Sequence, residues 1–340
     1  MLYPLLRPAL FSLDAERSHD LALSLLGKPG VPALVQVLYG RRAASKPVKL
    51  LGLEFDNPVG LAAGLDKNAK ALDGLGACGF GFVEVGTVTP KPQPGNEKPR
   101  LFRLPEAQAI INRFGFNNEG VDALVERVRQ RNWRGVVGIN IGKNASTAAA
   151  DATEDYLIGL RAVYAVADYI TVNISSPNTK GLRDLQHGAQ LEELFAALST
   201  ERDALATAQA RRVPLLVKIA PDMSDEAMTD LCHAVLRHRI DGVIATNTTL
   251  GREGVEGLPH GNESGGLSGA PLTPLAASKI KPLRHDLGAD IALIAAGGIN
   301  SPLEAEQRLA DGADLIQLYS SLIYQGPTLV QQICRHLASA

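Results

Sequence analysis

Ala167-Asp168-Tyr169-Ile170-Thr171-Val172 runs directly into Asn173-Ile174-Ser175-Ser176-Pro177-Asn178-Thr179. The first part reads as a buried strand, and the second supplies two amides and three hydroxyls. A turn explains one or two of these residues, because serine and asparagine initiate turns and the residue before a proline is pushed out of helical geometry. It does not explain the recurrence. Asn140 closes Gly135-Val136-Val137-Gly138-Ile139, Lys218 closes Pro214-Leu215-Leu216-Val217, and Thr246-Asn247-Thr248-Thr249 closes Gly242-Val243-Ile244-Ala245. Polar chemistry is gathered at one end of a set of strands.

Similar apolar runs occur at Val59 to Ala62, Gly81 to Val85, Ile291 to Ile294 and Asp314 to Leu318, with helical patterns between them. Near-continuous apolar strands separated by helices imply a parallel sheet covered on its outer face. About eight such units suit a closed (β/α)₈ (TIM) barrel better than an open doubly wound sheet. Ser224-Asp225-Glu226 and Ser301-Pro302-Leu303-Glu304 carry helix-start signals. The proline-rich stretch 89–105, with strand-like Arg100 to Leu104 and Ala109 to Ile111, predicts a small hairpin on the barrel mouth. Ser175 to about Gly188 lacks periodicity and reads as a lid.

The chain has 340 residues, 45% hydrophobic and 21% charged, enough for a large core. A net charge of −2 offers no basic field for nucleic acid. Cys78, Cys232 and Cys334 are far apart, which argues against a disulfide framework or structural zinc and for a reducing, cytosol-facing location. His233 and His238 miss the spacing that pairs ligands on one helix face, so no metal is expected.

Residues 1–40 are set apart from the barrel segment 41–340. Leu2, Leu5, Leu6, Ala9, Leu10 and Leu13 fall on one helical face, and Leu21, Ala22, Leu25 and Leu26 form a second stripe. Neither run approaches the ~20 apolar residues of a membrane span. Two short amphipathic helices can pack on the barrel or lie in a bilayer interface, and the pattern alone leaves both open.

Three loops suit a phosphate-bearing cofactor: Gly297-Gly298-Ile299 after the seventh strand, Tyr319-Ser320-Ser321 after the eighth, and Gly265 to Gly269. Ala63-Gly64 ends the first strand with small residues that admit a flat ring, and Lys67 follows to neutralise an anion. Lys218 places an ammonium inside a barrel-strand pattern and requires an anionic partner, a neighbouring carboxylate or a ligand. Asn112, Asn173, Asn178 and Asn247, with Lys67 and Thr248, suggest a planar acid bearing alternating N–H and C=O groups.

Ala63-Gly64-Leu65-Asp66-Lys67, Thr87-Val88-Thr89-Pro90, Asn112-Arg113-Phe114-Gly115-Phe116-Asn117-Asn118, Asn173 to Thr179, Ala245-Thr246-Asn247-Thr248-Thr249 and Gly265-Gly266-Leu267-Ser268-Gly269 together resemble the dihydroorotate dehydrogenase family, in its membrane-associated, quinone-using class. The resemblance runs essentially end to end. It implies FMN-dependent oxidation of (S)-dihydroorotate to orotate in pyrimidine biosynthesis, with electrons passed to a membrane quinone. It implies FMN contacts from Ala63, Gly64, Lys67, Thr87, Asn140, Asn173, Lys218, Thr246, Gly269, Gly298, Tyr319 and Ser320. Substrate contacts would be Lys67, Asn112, Arg113, Phe114, Gly115, Phe116, Asn173, Asn178, Asn247 and Thr248. Ser176 takes the place of the catalytic base, where the soluble relatives carry cysteine, and Thr179 is the expected proton relay. The same resemblance turns the N-terminal helices toward the membrane and quinone entry, and implies a monomer peripheral to the cytoplasmic face of the cell membrane.

Three rival readings remain. A soluble flavin dehydrogenase using fumarate or nicotinamide is disfavoured by Ser176 and the N-terminal helices. A flavin-free phosphosugar isomerase or aldolase barrel shares the phosphate loop but not the asparagine set. A non-catalytic membrane scaffold leaves Lys218 unexplained.

Overall fold

The computed structural model describes residues 3–40, 46–179 and 181–339. Leu2 and the start of the barrel segment at 41 lie outside the described residues. The chain opens with α1 (Tyr3–Ser12), α2 (Ala15–Leu26) and α3 (Val31–Leu38). The stripes anticipate two helices, and α3 is the difference. Its sequence, Val-Pro-Ala-Leu-Val-Gln-Val-Leu, has almost no polar face, so no helical period marks it.

A hairpin, β1 (Val48–Leu50) with β2 (Leu53–Phe55), leads into the barrel strands β3 (Val59–Leu61) and β4 (Phe82–Val88). The chain then leaves the barrel for β5 (Leu101–Leu104) and β6 (Ala109–Asn112). It returns for β7 (Val136–Ile141), β8 (Tyr169–Asn173), β9 (Leu215–Ile219) and β10 (Gly242–Ala245). After β11 (Gly266–Gly269) come β12 (Ala292–Ala296) and β13 (Leu315–Leu318). Eight parallel strands close in chain order, with β13 pairing β3 so that Leu318 lies opposite Leu61. The expected (β/α)₈ barrel is therefore the observed fold, preceded by the N-terminal helices.

Alternation along each strand sorts the side chains. On β4, Val83 and Val85 face the surrounding helices, whereas Phe82 joins Tyr169, Leu216, Ile244, Ile294 and Leu315 in the barrel floor. The β1–β2 hairpin plugs that floor with Leu50 and Leu53. Burying each such side chain stabilises the fold by about 1.5–3 kcal/mol. Gly138 makes room for an aromatic ring here, since a Cβ would lie 2.1 Å from the ring of Tyr169.

The expected hairpin is present as β5–β6, but β11 adds a third antiparallel strand beside β6. Gly265 to Gly269 is thus largely strand, not a free loop. The helices Asp225–Arg237 and Pro302–Ala310 begin where expected: Ser224 Oγ accepts from Ala227 N–H and Ser301 Oγ from Glu304 N–H, each at 3.2 Å. The 175–188 segment is tied down over the mouth. Leu182 and Leu185 are buried, and Arg183 donates to the carbonyls of Ser175 and Thr248, each at 3.1 Å.

The N-terminal helices dock through polar groups and through Leu23, Leu26 and Val35, and leave other apolar residues outside. Arg7 donates to the Tyr324 carbonyl at 2.9 Å, and Glu16 is paired with Arg100 at 2.8 Å. Leu5 is 77% exposed and Leu34 58%, with Leu6, Leu13, Leu21, Leu25 and Val37 also exposed. Among the described residues no single helix is long and apolar enough to cross a membrane.

Candidate functional site

The strand ends that carry polar residues open into one cleft at the C-terminal mouth of the barrel, about 990 Å³ out to its entrance. Small residues at its first strand end admit a ligand: Ala63 and Gly64 line the wall, and Tyr319 donates to the Gly64 carbonyl at 3.4 Å. Asp66 organises the next turn by accepting from the backbone N–H groups of Lys70 and Ala71 at 2.8 and 2.7 Å. That turn delivers Lys67 to the rim, with its Nζ 3.7 Å from the centroid of the Phe114 ring. Burial, with the nearby charge of Arg100, pulls the Lys67 pKa down to about 8.

Amides form the opposite wall. Asn178 donates to the Asn112 carbonyl at 3.1 Å, joining the lid segment to the end of β6. Asn247 donates to Ser175 Oγ at 2.9 Å and to Asn173 Oδ1 at 3.4 Å. Ser176 is buried beside them, and its Oγ accepts from Asn178 N–H at 3.3 Å. Phe116, Gly115 and Thr248 complete this side.

The remaining wall suits an anion. Gly297 and Gly298 hold φ of 103° and 70°, conformations that favour glycine. A Cβ on Gly298 would lie 2.3 Å from Thr273 Cα, so the chain passes close because the side chain is missing. Gly269, Tyr319 and Ser320 face the same space, and Ser320 Oγ donates to Ser268 Oγ at 2.8 Å. Lys218 and Thr246 lie deeper. Lys218 is 5% exposed, and among the described residues its ammonium has no ion-pair or hydrogen-bond partner. Burial lowers its pKa and the charge of Glu84 opposes that shift. A buried cation open to a cleft calls for an anionic or carbonyl-rich ligand.

Most of the expected site residues therefore share one cavity, and three do not line it. Arg113 turns outward to Glu263 at 2.8 Å and lies over Phe102, because alternation along the chain sends it away from the face that Asn112 presents. Asn140 is fully buried behind Thr87, whose Oγ1 donates to it at 2.5 Å. Thr179 is buried away from the cleft lining, and its Oγ1 lacks a partner among the described residues. The sequence reading missed Gln317, which lines the cleft, and His19 of α2, whose ring packs against Phe114 at 6.4 Å. Burial and the charge of Lys67 pull the His19 pKa down to about 3. A polar residue inside an apolar run was the available signal for Gln317, whereas His19 lies in a polar helix start and carried none.

The family model of dihydroorotate dehydrogenase matches residues 46–340. A protein named dihydroorotate dehydrogenase (quinone) from Pseudomonas aeruginosa (strain UCBPP-PA14) is 56% identical over 338 residues, covering 99% of this chain and 98% of the relative. One of the same name from Pseudomonas putida (strain GB-1) is also 56% identical, covering 99% of both chains. Among solved structures, DHODH from Eimeria tenella in complex with ferulenol superposes with a TM-score of 0.86 at 37% identity, covering 95% of this chain and 90% of that one. Its ligand-free form also gives 0.86, at 39% identity and coverage of 96% and 94%. A match of this length and identity, on the same barrel, means that the chain belongs to the dihydroorotate dehydrogenase family.

Proposed function

We propose that this chain oxidises (S)-dihydroorotate to orotate in pyrimidine biosynthesis, with FMN as prosthetic group and a membrane quinone as electron acceptor. The observation that carries this reading is the cleft itself: a buried ammonium with no partner among the described residues, a glycine-rich anion wall and the asparagines Asn112, Asn173, Asn178 and Asn247 meet in one cavity. The residues fit FMN. Gly269, Gly298, Tyr319 and Ser320 would hold its phosphate. Lys218, Thr87, Thr246 and Asn173 would hold its ring against Ala63 and Gly64. Bound there, FMN would supply an acceptor for the hydride leaving C6 of the substrate and a carrier for onward electron transfer.

The chain's own part is orientation and proton transfer. Lys67 faces the substrate carboxylate, and Asn112, Asn173, Asn178, Asn247 and Thr248 match its alternating N–H and C=O groups. Ser176 takes the proton from C5. A neutral hydroxyl is a weak base, so it works only when its proton is passed on and the charge developing on the substrate is stabilised. Thr179, close to Ser176 in the chain and buried with a hydroxyl that has no partner among the described residues, is the relay.

The quinone would enter by a separate route between α1 and α2, in a ping-pong cycle. The exposed leucines of these helices support docking at the interface of a bilayer, and the reading takes the chain as a monomer peripheral to the cytoplasmic face of the cell membrane. Single-turnover mixing of purified enzyme with dihydroorotate tests the assignment. Ser176→Ala should slow flavin reduction by about 10²-fold or more. Thr179→Val should slow it less, and both should leave orotate affinity similar. Unchanged reduction rates would remove both residues from the proton path.

A further inference from the structure

Glu84 is fully buried inside the barrel, below the cleft and outside the proposed mechanism. Three donors converge on its carboxylate. Asn140 Nδ2 donates to Oε1 at 2.8 Å, while Tyr169 OH and Gln317 Nε2 donate to Oε2 at 2.9 and 2.8 Å. Burial, then the adjacent charge of Glu84, pushes the Tyr169 phenol well up, so it remains a donor. From Glu84 a chain of hydrogen bonds climbs to the mouth. Asn140 Oδ1 accepts from Thr87 Oγ1 at 2.5 Å, Thr87 Oγ1 accepts from Asn173 Nδ2 at 2.9 Å, and Asn173 Oδ1 accepts from Asn247 Nδ2 at 3.4 Å.

We propose that Glu84 is a positioning residue whose carboxylate sets the donor–acceptor direction of the whole Asn140–Thr87–Asn173–Asn247 chain and so orients the amides that meet the cofactor and substrate. The inference deepens the proposed function and rests on it. An ionised carboxylate only accepts, so Asn140 must turn its NH₂ down and its oxygen up. Thr87 then donates to Asn140, which leaves its lone pairs for Asn173. Asn173 in turn presents its oxygen to Ser175 and Asn247. Without a fixed acceptor at the base, each amide is free to turn over, since its two ends have nearly the same shape. Glu84 is also the charge that opposes deprotonation of buried Lys218.

The test exchanges the two ends of the lowest bond. Asn140→Asp alone sets a carboxylate against Glu84 and removes its donor. Adding Glu84→Gln restores the pair: the new amide keeps an oxygen for Tyr169 and Gln317 and donates its NH₂ to the carboxylate, which still accepts from Thr87. FMN affinity of the apoprotein, from quenching of flavin fluorescence, should fall about tenfold or more in Asn140→Asp. The double variant should recover most of that loss. Orotate affinity of the FMN-loaded forms should follow the same order. A double variant no better than Asn140→Asp, or one that fails to fold, overturns the proposal, as does an unaffected Asn140→Asp. Failure of the wild-type chain to bind FMN would instead sink the proposed function.

Discussion

Lys67 joins the two halves of the site, since its ammonium sits over Phe114 while burial, reinforced by the same charge, holds His19 of α2 neutral. Its acid form is the charged one, and its pKa lies near 8, below the ordinary lysine value of 10.5. In the ligand-free enzyme the ammonium is therefore complete well below pH 8 and lost as pH rises through it. Orotate affinity should fall over that range, measured by perturbation of the flavin spectrum, and Lys67→Met should bind weakly with that step absent. A step of equal size in the Met variant would assign it to another group. Lys218 shows how a single residue became legible in the sequence: a charge inside an apolar strand is costly, so it signals a ligand or partner. Glu84 stands in the same kind of run and obeys the same rule. Its role stayed hidden because its partners, Asn140, Tyr169 and Gln317, come from three other strands. Only the closed barrel brings them together.

The helical extension has two faces of opposite character. Its inner side is held by directed contacts: Arg103 donates to carbonyls at the end of α1, Glu16 to Arg100 is an ion pair, and Phe11 meets Tyr324 edge-on at 5.5 Å. Its outer side is the exposed leucine stripe. The stripe was legible from spacing, but its direction was not, because amphipathicity looks the same whether a helix faces a core or a bilayer. Removal of residues 1–40 should leave flavin reduction by dihydroorotate intact and abolish quinone reduction. Full quinone turnover by the truncated enzyme would place quinone entry elsewhere. The β1–β2 hairpin and β11 also escaped the sequence reading. Each is only three or four residues long, and Gly266–Gly269 carries one large apolar side chain, Leu267. Their pairing is decided by partners distant in the chain.

For the whole molecule, the barrel was readable because eight apolar runs with intervening helices leave few ways to bury so much parallel sheet. Closure in chain order then determines which strand ends are neighbours, and so assembles Lys67, Ser176, Lys218, Asn247 and Gly298 from segments far apart in sequence. What the pattern did not reveal was the depth of each residue: Asn140 is buried behind Thr87, and Thr179 is buried without lining the cleft. The proposed function requires a flavin seated across this mouth with dihydroorotate against the amide wall. Anaerobic titration of the purified enzyme with dihydroorotate, followed by a quinone, tests that directly. The flavin absorbance should bleach at about one equivalent and return when quinone is added. A colourless protein that does not rebind FMN, or a yellow one that dihydroorotate fails to bleach, would rule the assignment out.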